Sequence, residues 1–163
     1  MRTTTTGLAA TRLVVKILLA WFAFYNLTSG LWQFLAPRSF FDDFPGFGRQ
    51  WVSVDGPYNE HLLRDFGQGN LAFGVVALVA LLTGGVWLAR ATGLAAVVAN
   101  LPHQAYHQTH LHVLPTMSDQ VLQTITLSFV SVTSILLAVL AFLLPADSPT
   151  SPVTQGSAVG MRS

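Results

Sequence analysis

Charged residues divide this chain into segments separated by long uncharged stretches. The first stretch has 21 uncharged residues between Lys16 and Arg38. Three more, of 24, 28 and 27 residues, end at Arg90, Asp119 and Asp147. A membrane-spanning helix needs about 20 predominantly apolar residues, so each stretch is long enough for one helix and too short for two. The pattern predicts four transmembrane helices, at roughly 14–36, 60–83, 87–112 and 119–144.

The composition supports a chain that lies in lipid. Hydrophobic residues make up 52% of the 163 residues and charged residues 9%, whereas a soluble domain is about one quarter charged. We predict an all-α fold, a four-helix transmembrane bundle over residues 1–145, in a cell membrane as a multi-pass protein with the lipid bilayer as partner. The net charge of +1 leaves no basic surface for nucleic acid. Because the chain has no cysteine, thiolate metal sites and disulfides are excluded.

Lysine and arginine near the helix ends indicate the orientation. Five such residues precede the first helix, follow the second or lie in the tail, and three lie between the first and second helices. The first group is Arg2, Arg12, Lys16, Arg90 and Arg162, and the second is Arg38, Arg49 and Arg64. This difference predicts that both termini are cytoplasmic. Residues 146–163 are rich in Ser, Thr, Pro and Gly and predict a disordered cytoplasmic tail.

Polar and small residues form stripes at helical spacing on three of the predicted helices. The stripes are Asn26, Ser29 and Gln33 on the first, Gly67, Gly69 and Gly74 on the second, and Gln120, Thr124, Ser128 and Ser131 on the fourth. Polar side chains in lipid turn toward other helices, and glycine allows helices to approach closely. We interpret all three stripes as helix–helix contacts.

The third helix carries a face of histidines near its end. His103, Tyr106, His107 and His110 follow the spacing i, i+3, i+4, i+7, and Asn100 lies at the edge of the same face. The second helix begins with a matching polar group. Its members are the i,i+4 pairs Glu60–Arg64 and His61–Asp65, and Gln68 continues the stripe of His61 and Asp65.

A tight turn near Gly85 would make the second and third helices antiparallel. Residues at equal depth then have numbers that sum to about 170, within the few residues by which predicted boundaries err. This relation places Glu60 level with His110 and His61 level with His107, both in the outer third of the membrane. We therefore expect an outward-facing His/carboxylate cluster between these two helices.

Three interpretations of this cluster remain open. A metal site would use His107 with His103 or His110, together with Glu60, His61 or Asp65. Imidazole and carboxylate ligands suit zinc, iron or copper. Alternatively, the cluster relays protons or binds a protonatable small molecule, or it is a structural network of buried polar groups. The sequence identifies no catalytic residue.

The outer segment between the first two helices interleaves aromatic and charged residues. Residues 37–59 contain four phenylalanines, Trp51 and Tyr58 among Asp42, Asp43, Arg49 and Asp55. Aromatic and charged residues together are typical of the membrane–water interface. The segment either lies on the membrane surface as a short amphipathic element or covers the polar cluster as a lid.

The two polar motifs, EHLLRDFG at 60–67 and PHQAYHQTH at 102–110, resemble those of small DoxX-like, four-helix membrane proteins of bacteria, especially actinobacteria. The resemblance covers roughly residues 15–145. It implies a compact four-helix bundle in the bacterial plasma membrane and brings no established activity, cofactor or substrate.

The leading functional hypothesis is a site for a transition metal or a protonatable small ligand. The alternatives are an accessory or scaffolding subunit of a larger membrane complex and a proton-coupled transporter that acts as a homo-oligomer.

Overall fold

The computed structural model describes residues 2–146, with side chains from residue 6 onward. The chain is all-helical. Its helices are α1 (Arg2–Leu35), α2 (Pro37–Asp43), α3 (Glu60–Thr83), α4 (Val86–Thr109) and α5 (Met117–Leu143), with a short 3₁₀ helix at Leu111–Val113. Two short antiparallel strands, β1 (Pro45–Gly46) and β2 (Arg49–Gln50), form a hairpin between α2 and α3. The predicted disordered tail lies, apart from its first residue, outside the described residues.

Three of the described helices are long and apolar enough to cross a membrane. They are Thr6–Leu35, Glu60–Thr83 and Met117–Leu143. Helix α4 has 24 residues, as α3 does, but is not one of these three, because polar side chains occupy much of its second half. The structure therefore confirms an all-helical protein and shows three helices that could span a membrane.

Local chemistry explains where the helices begin and end. The Asn59 side chain accepts a hydrogen bond from the Leu62 amide at 3.1 Å and so caps α3, which ends at Gly84 in the left-handed conformation with φ 66°. Thr116 caps α5 by accepting from the Asp119 amide at 3.1 Å. The predicted start of the first helix at residue 14 was wrong, because a helix can continue into water beyond its apolar part. The third helix ends at Thr109 rather than at residue 112, shortly before Pro115.

The long helices pack as two antiparallel pairs, α1 with α3 and α4 with α5, and the contact between α3 and α4 is much smaller. Glycines allow the close approach within each pair. A Cβ at Gly30 would lie 2.9 Å from the Gly67 carbonyl oxygen, and one at Gly93 would lie 2.7 Å from the Ala138 Cα. The predicted close contacts at Gly67 and Gly74 are confirmed. The one at Gly69 was wrong, because a Cβ there would meet nothing within 4 Å.

The bundle has two chemically different ends. The end that we call the termini end contains residues 6–16, the α3–α4 turn and the end of α5, and most of the fully buried apolar core lies in this half. The core includes Leu19, Phe22, Ala80, Val86, Leu137 and Ala141. The opposite end, which we call the loop end, contains residues 34–65 and 106–120 and holds the buried polar contacts described below.

Candidate ligand site at the loop end

The predicted histidine face of α4 divides into two pairs. His103 and His107 form a pair without hydrogen bonds to described residues, and Tyr106 and His110 form a stacked, hydrogen-bonded pair. The ring centroids of His103 and His107 are 4.6 Å apart, and neither imidazole makes a hydrogen bond to any other described residue. His110, by contrast, stacks on Tyr106 with a centroid distance of 4.0 Å, and its Nδ1 lies 2.8 Å from the Tyr106 carbonyl oxygen. The two imidazoles of His103 and His107 are thus available to a ligand.

The polar residues of α3 form the predicted pairs but do not join the histidines. Arg64 Nε donates to Glu60 Oε1 at 2.9 Å, and His61 Nε2 lies 3.5 Å from Asp65 Oδ2, so both i,i+4 pairs are confirmed. The Arg64 guanidinium also donates to the Phe34 carbonyl of α1. His61 and Asp65 are exposed, with side-chain exposures of 87% and 54%.

The structure does not bring the α3 group and the α4 group together into one cluster. Within residues 6–146, no three His, Asp or Glu side chains stand close enough to hold a metal ion. Residue spacing in the sequence relates only the depths of residues along two antiparallel helices. It could not show that α3 packs against α1 and α4 against α5, which leaves Glu60, His61, Asp65 and Gln68 away from the imidazole pair.

One acidic residue acts electrostatically on His107, and it lies in the linker between α2 and α3. This residue is Asp55, which is half-buried. Tyr106 also touches the pair, with its ring edge-on to His107 at a centroid distance of 5.4 Å. The two imidazoles and the Tyr106 ring thus form the candidate site, and the negative charge of Asp55 acts on it electrostatically.

An amide–hydroxyl ladder next to the histidine face joins α4 to α5. Its hydrogen bonds are Asn100 Nδ2 to Ser134 Oγ at 3.0 Å, Gln104 Nε2 to Ser128 Oγ at 2.9 Å and Gln108 Nε2 to Thr124 Oγ1 at 3.4 Å. The α5 stripe predicted as a helix contact is therefore confirmed at Thr124 and Ser128. Asn100, predicted as support for the histidines, belongs to this ladder. The i, i+4, i+8 spacing of the three amides was the signal that could have identified it.

A buried carboxylate links the linker to α5, and the sequence analysis did not identify it as a functional residue. Asp119 is 5% exposed and accepts hydrogen bonds from Arg49, from Trp51 Nε1 at 2.9 Å and from Thr116 Oγ1 at 2.5 Å. Thr116 and Asp119 have capping-box spacing, which predicts their local contact. Arg49 lies 70 residues away, and no local pattern could indicate it.

Helix α2 and the linker form an aromatic cluster with the end of α1. Phe40 packs on Trp32 and on Phe44, with centroid distances of 5.4 and 4.7 Å, and Trp51 packs on Phe44 at 6.3 Å. Phe40 and Trp51 are buried. The surface element and the lid both stay predictions for this segment.

Two polar side chains, one in α2 and one in the linker, are held in their charge state by neighbouring carboxylates. A hydrogen bond from Arg38 to Asp42, at 2.6 Å, raises the pKa of the guanidinium. Desolvation raises the pKa of the Tyr58 phenol, and the adjacent Glu60 carboxylate raises it further. Both groups therefore stay protonated at neutral pH, Tyr58 as a donor to Glu60 at 3.4 Å.

Comparison with models of protein families, with curated proteins and with solved structures found no match for this chain. The resemblance to DoxX-like proteins therefore stays a prediction that depends on the two motifs alone.

Proposed function

We propose that the chain crosses the membrane four times, with α4 as the crossing that hydropathy alone does not identify. Contacts between α4 and α5 extend from Arg90, which donates to the Ala141 carbonyl, to Gln108, which donates to Thr124. Helix α4 thus covers almost the same depth as α5, which is apolar enough to span a membrane. Its amides point at α5 rather than at lipid, which makes a polar spanning helix tolerable.

We propose further that both termini are cytoplasmic. The described ends of α1 and α5 lie at the same end of the bundle, where Ala9, Arg12 and Leu144 line one cleft. Arg12, Lys16 and Arg90 lie at this end, as the positive-inside rule requires of the cytoplasmic side. The loop end and the imidazole pair then face outward.

The function that this geometry supports best is the binding of a small ligand by His103 and His107. The observation that carries the proposal is that these two imidazoles stand side by side with no hydrogen bond to a described residue. His103 is exposed and His107 is half-buried, so an outside molecule can reach both rings. Here the neighbouring amides of Gln104 and Gln108 make the structural contacts instead.

The ligand class follows from what a free imidazole can do. A neutral imidazole nitrogen accepts a hydrogen bond from a protonated molecule or binds zinc, copper or iron. His103 and His107 are spaced i,i+4, which suits two ligands to one metal ion. The negative charge of Asp55, which acts electrostatically on His107, would favour a positively charged ligand of either kind.

Full-length protein extracted from membranes and analysed by native mass spectrometry and by elemental analysis tests the proposal. We expect a bound small molecule or metal ion that is lost in His103→Ala/His107→Ala and kept in His112→Ala, which removes a histidine outside the pair. Titration of metal-free protein with zinc, copper or iron then separates the two ligand kinds. Wild-type protein with no bound molecule and no response to any of the three metals would contradict the proposal.

An accessory or scaffolding subunit is the second candidate, and one observation favours it. Phe47 stands at the tip of the β1–β2 hairpin with its side chain fully exposed, between Gly46 and Gly48. A large apolar side chain in this position is suited to contact with a partner protein. Co-purification of a larger complex that Phe47→Ser disrupts, with no ligand at His103 and His107, would favour this function. A transporter assembled from several copies stays a further prediction.

A further inference from the structure

A cleft at the termini end lies far from the imidazole pair. Its volume is about 370 Å³, within the range of about 300–1,000 Å³ that is typical of small-molecule sites. The first half of α1, the α3–α4 turn and the residue after α5 border it. Its wall is apolar and includes Val15, Leu19, Ala80, Val86 and Ala89.

Two cations stand at the rim of this cleft. Arg12 and Lys16 both line it and are exposed, and they lie one helical turn apart, about 6 Å along the axis. Neither forms an ion pair with any residue that the structure describes. Arg90 at the same end differs, because its guanidinium donates to the carbonyls of Ala141 and Leu144.

Among the described residues, the charge around the cleft is of one sign. Every acidic residue of the described part of the chain lies at the loop end, where Arg38, Arg49 and Arg64 each pair with a carboxylate. Arg12 and Lys16 therefore have no described carboxylate near them to neutralise their charge. An occupant of the cleft needs an apolar part for its wall and a negative group for its rim.

We propose that this cleft binds one anionic phospholipid of the surrounding leaflet. An acyl chain would lie against the apolar wall and the phosphate would lie between Arg12 and Lys16. Leu13, which also lines the cleft, is 60% exposed on a membrane-spanning helix, so the cleft is open to entry from the bilayer. A soluble anion would leave the apolar wall uncovered, and a zwitterionic headgroup would bring a competing cation to the rim.

Native mass spectrometry of the full-length protein in mixed micelles tests this site, with phosphatidylglycerol and phosphatidylcholine as probes. A cation near a membrane surface contributes enough to anionic-lipid binding to change it about fivefold. We expect wild-type protein to retain phosphatidylglycerol in preference to phosphatidylcholine. Arg12→Gln and Lys16→Gln should each reduce that preference about fivefold. Arg38→Gln, which removes one charge at the loop end, should leave it unchanged.

A second variant tests the apolar part of the site without removing charge. Ala9 is exposed and lines the cleft, so Ala9→Phe should fill it and reduce retention of both lipids while the protein stays folded. Equal retention of the two lipids by wild-type protein would overturn the proposal. Retention that appears only after residues 147–163 are deleted would also overturn it, because the chain's own C-terminal segment would then be the occupant.

Discussion

Arg90 of α4 binds the C-terminal end of α5. Its guanidinium donates to the Ala141 carbonyl at 3.2 Å and to the Leu144 carbonyl at 2.8 Å, at the end of α5 where helical carbonyls lack intrahelical donors. The same group lies over the rings of Trp87 and Phe142, at 4.7 and 5.2 Å from their centroids. Charge, hydrogen bonding and ring contact all favour this position.

Replacing Arg90 should therefore destabilise the protein. We expect Arg90→Ala to lower the free energy of unfolding by about 1–3 kcal/mol, because hydrogen bonds to a charged donor are lost and the terminal carbonyls of α5 are left without a partner. Reversible unfolding in detergent measures the effect. The matched control is Arg38→Ala, whose exposed ion pair with Asp42 should change stability by less than about 1 kcal/mol. Equal effects of the two substitutions would contradict this account of Arg90.

Histidine substitutions on α4 should change stability less than amide substitutions do. His103→Ala and His107→Ala remove side chains that make no hydrogen bond to a described residue, so each should change the unfolding free energy by less than about 0.5 kcal/mol. Gln104→Ala breaks a bond to Ser128 between two membrane helices and should cost about 0.6–1.7 kcal/mol. Thermal unfolding of the ligand-free protein compares them. Larger losses for the histidines would indicate a structural role instead.

At the scale of the helices, two glycines make opposite predictions. A Cβ at Gly93 would lie 2.7 Å from the Ala138 Cα and 2.8 Å from its amide nitrogen. Gly93→Ala must therefore push α4 away from α5 and should cost about 1–3 kcal/mol. Gly69→Ala meets nothing within 4 Å and should leave stability unchanged or raise it by up to about 1 kcal/mol, because alanine favours the helix. Unfolding midpoints of the two variants, measured in one detergent, check the difference.

The helices themselves could be predicted well from the sequence, because spans of uncharged residues and the physics of the bilayer leave few other structures. The i,i+4 pairs of Glu60 with Arg64 and His61 with Asp65 could be predicted for a similar reason, since helical geometry is local. The choice of helix partners could not. The depth rule equated His61 with His107, but which helix faces which depends on close contacts such as Gly30 with Gly67, whose fit no single helix reveals.

At the scale of the whole molecule, the topology can be tested simply because the chain has no native cysteine. Four crossings place Phe47 and Met117, both highly exposed, on one side of the membrane, and Ala10 and Thr83 on the other. We expect a membrane-impermeant maleimide added to intact cells to label Phe47→Cys and Met117→Cys only. Ala10→Cys and Thr83→Cys should react after permeabilisation. Protection of Met117→Cys together with Thr83→Cys in intact cells, with Phe47→Cys still labelled, would mean that α4 does not cross.

The contact between the linker and α5 also belongs to this scale, because Asp119 joins segments from distant parts of the chain. Asp119→Ala removes the acceptor for Arg49 and Trp51. We expect faster amide hydrogen exchange over residues 45–55, measured by mass spectrometry, because the buried partners lose their bonds. Asp42→Ala, which breaks only an exposed pair, is the control. Unchanged exchange in Asp119→Ala would mean that the aromatic cluster alone holds the linker.

The pairing of α1 with α3 and of α4 with α5 has a consequence for biogenesis. Each pair consists of helices that leave the ribosome close together in time, since synthesis proceeds from the N-terminus and domains form as units along the way. The first pair is complete in sequence at Thr83, before α4 has been made. We expect α1 and α3 to insert into the bilayer as a packed pair before α4 and α5 are synthesised. Helix α4, which is the most polar of the long helices, would then insert together with the α5 hydroxyl groups that cover its amides.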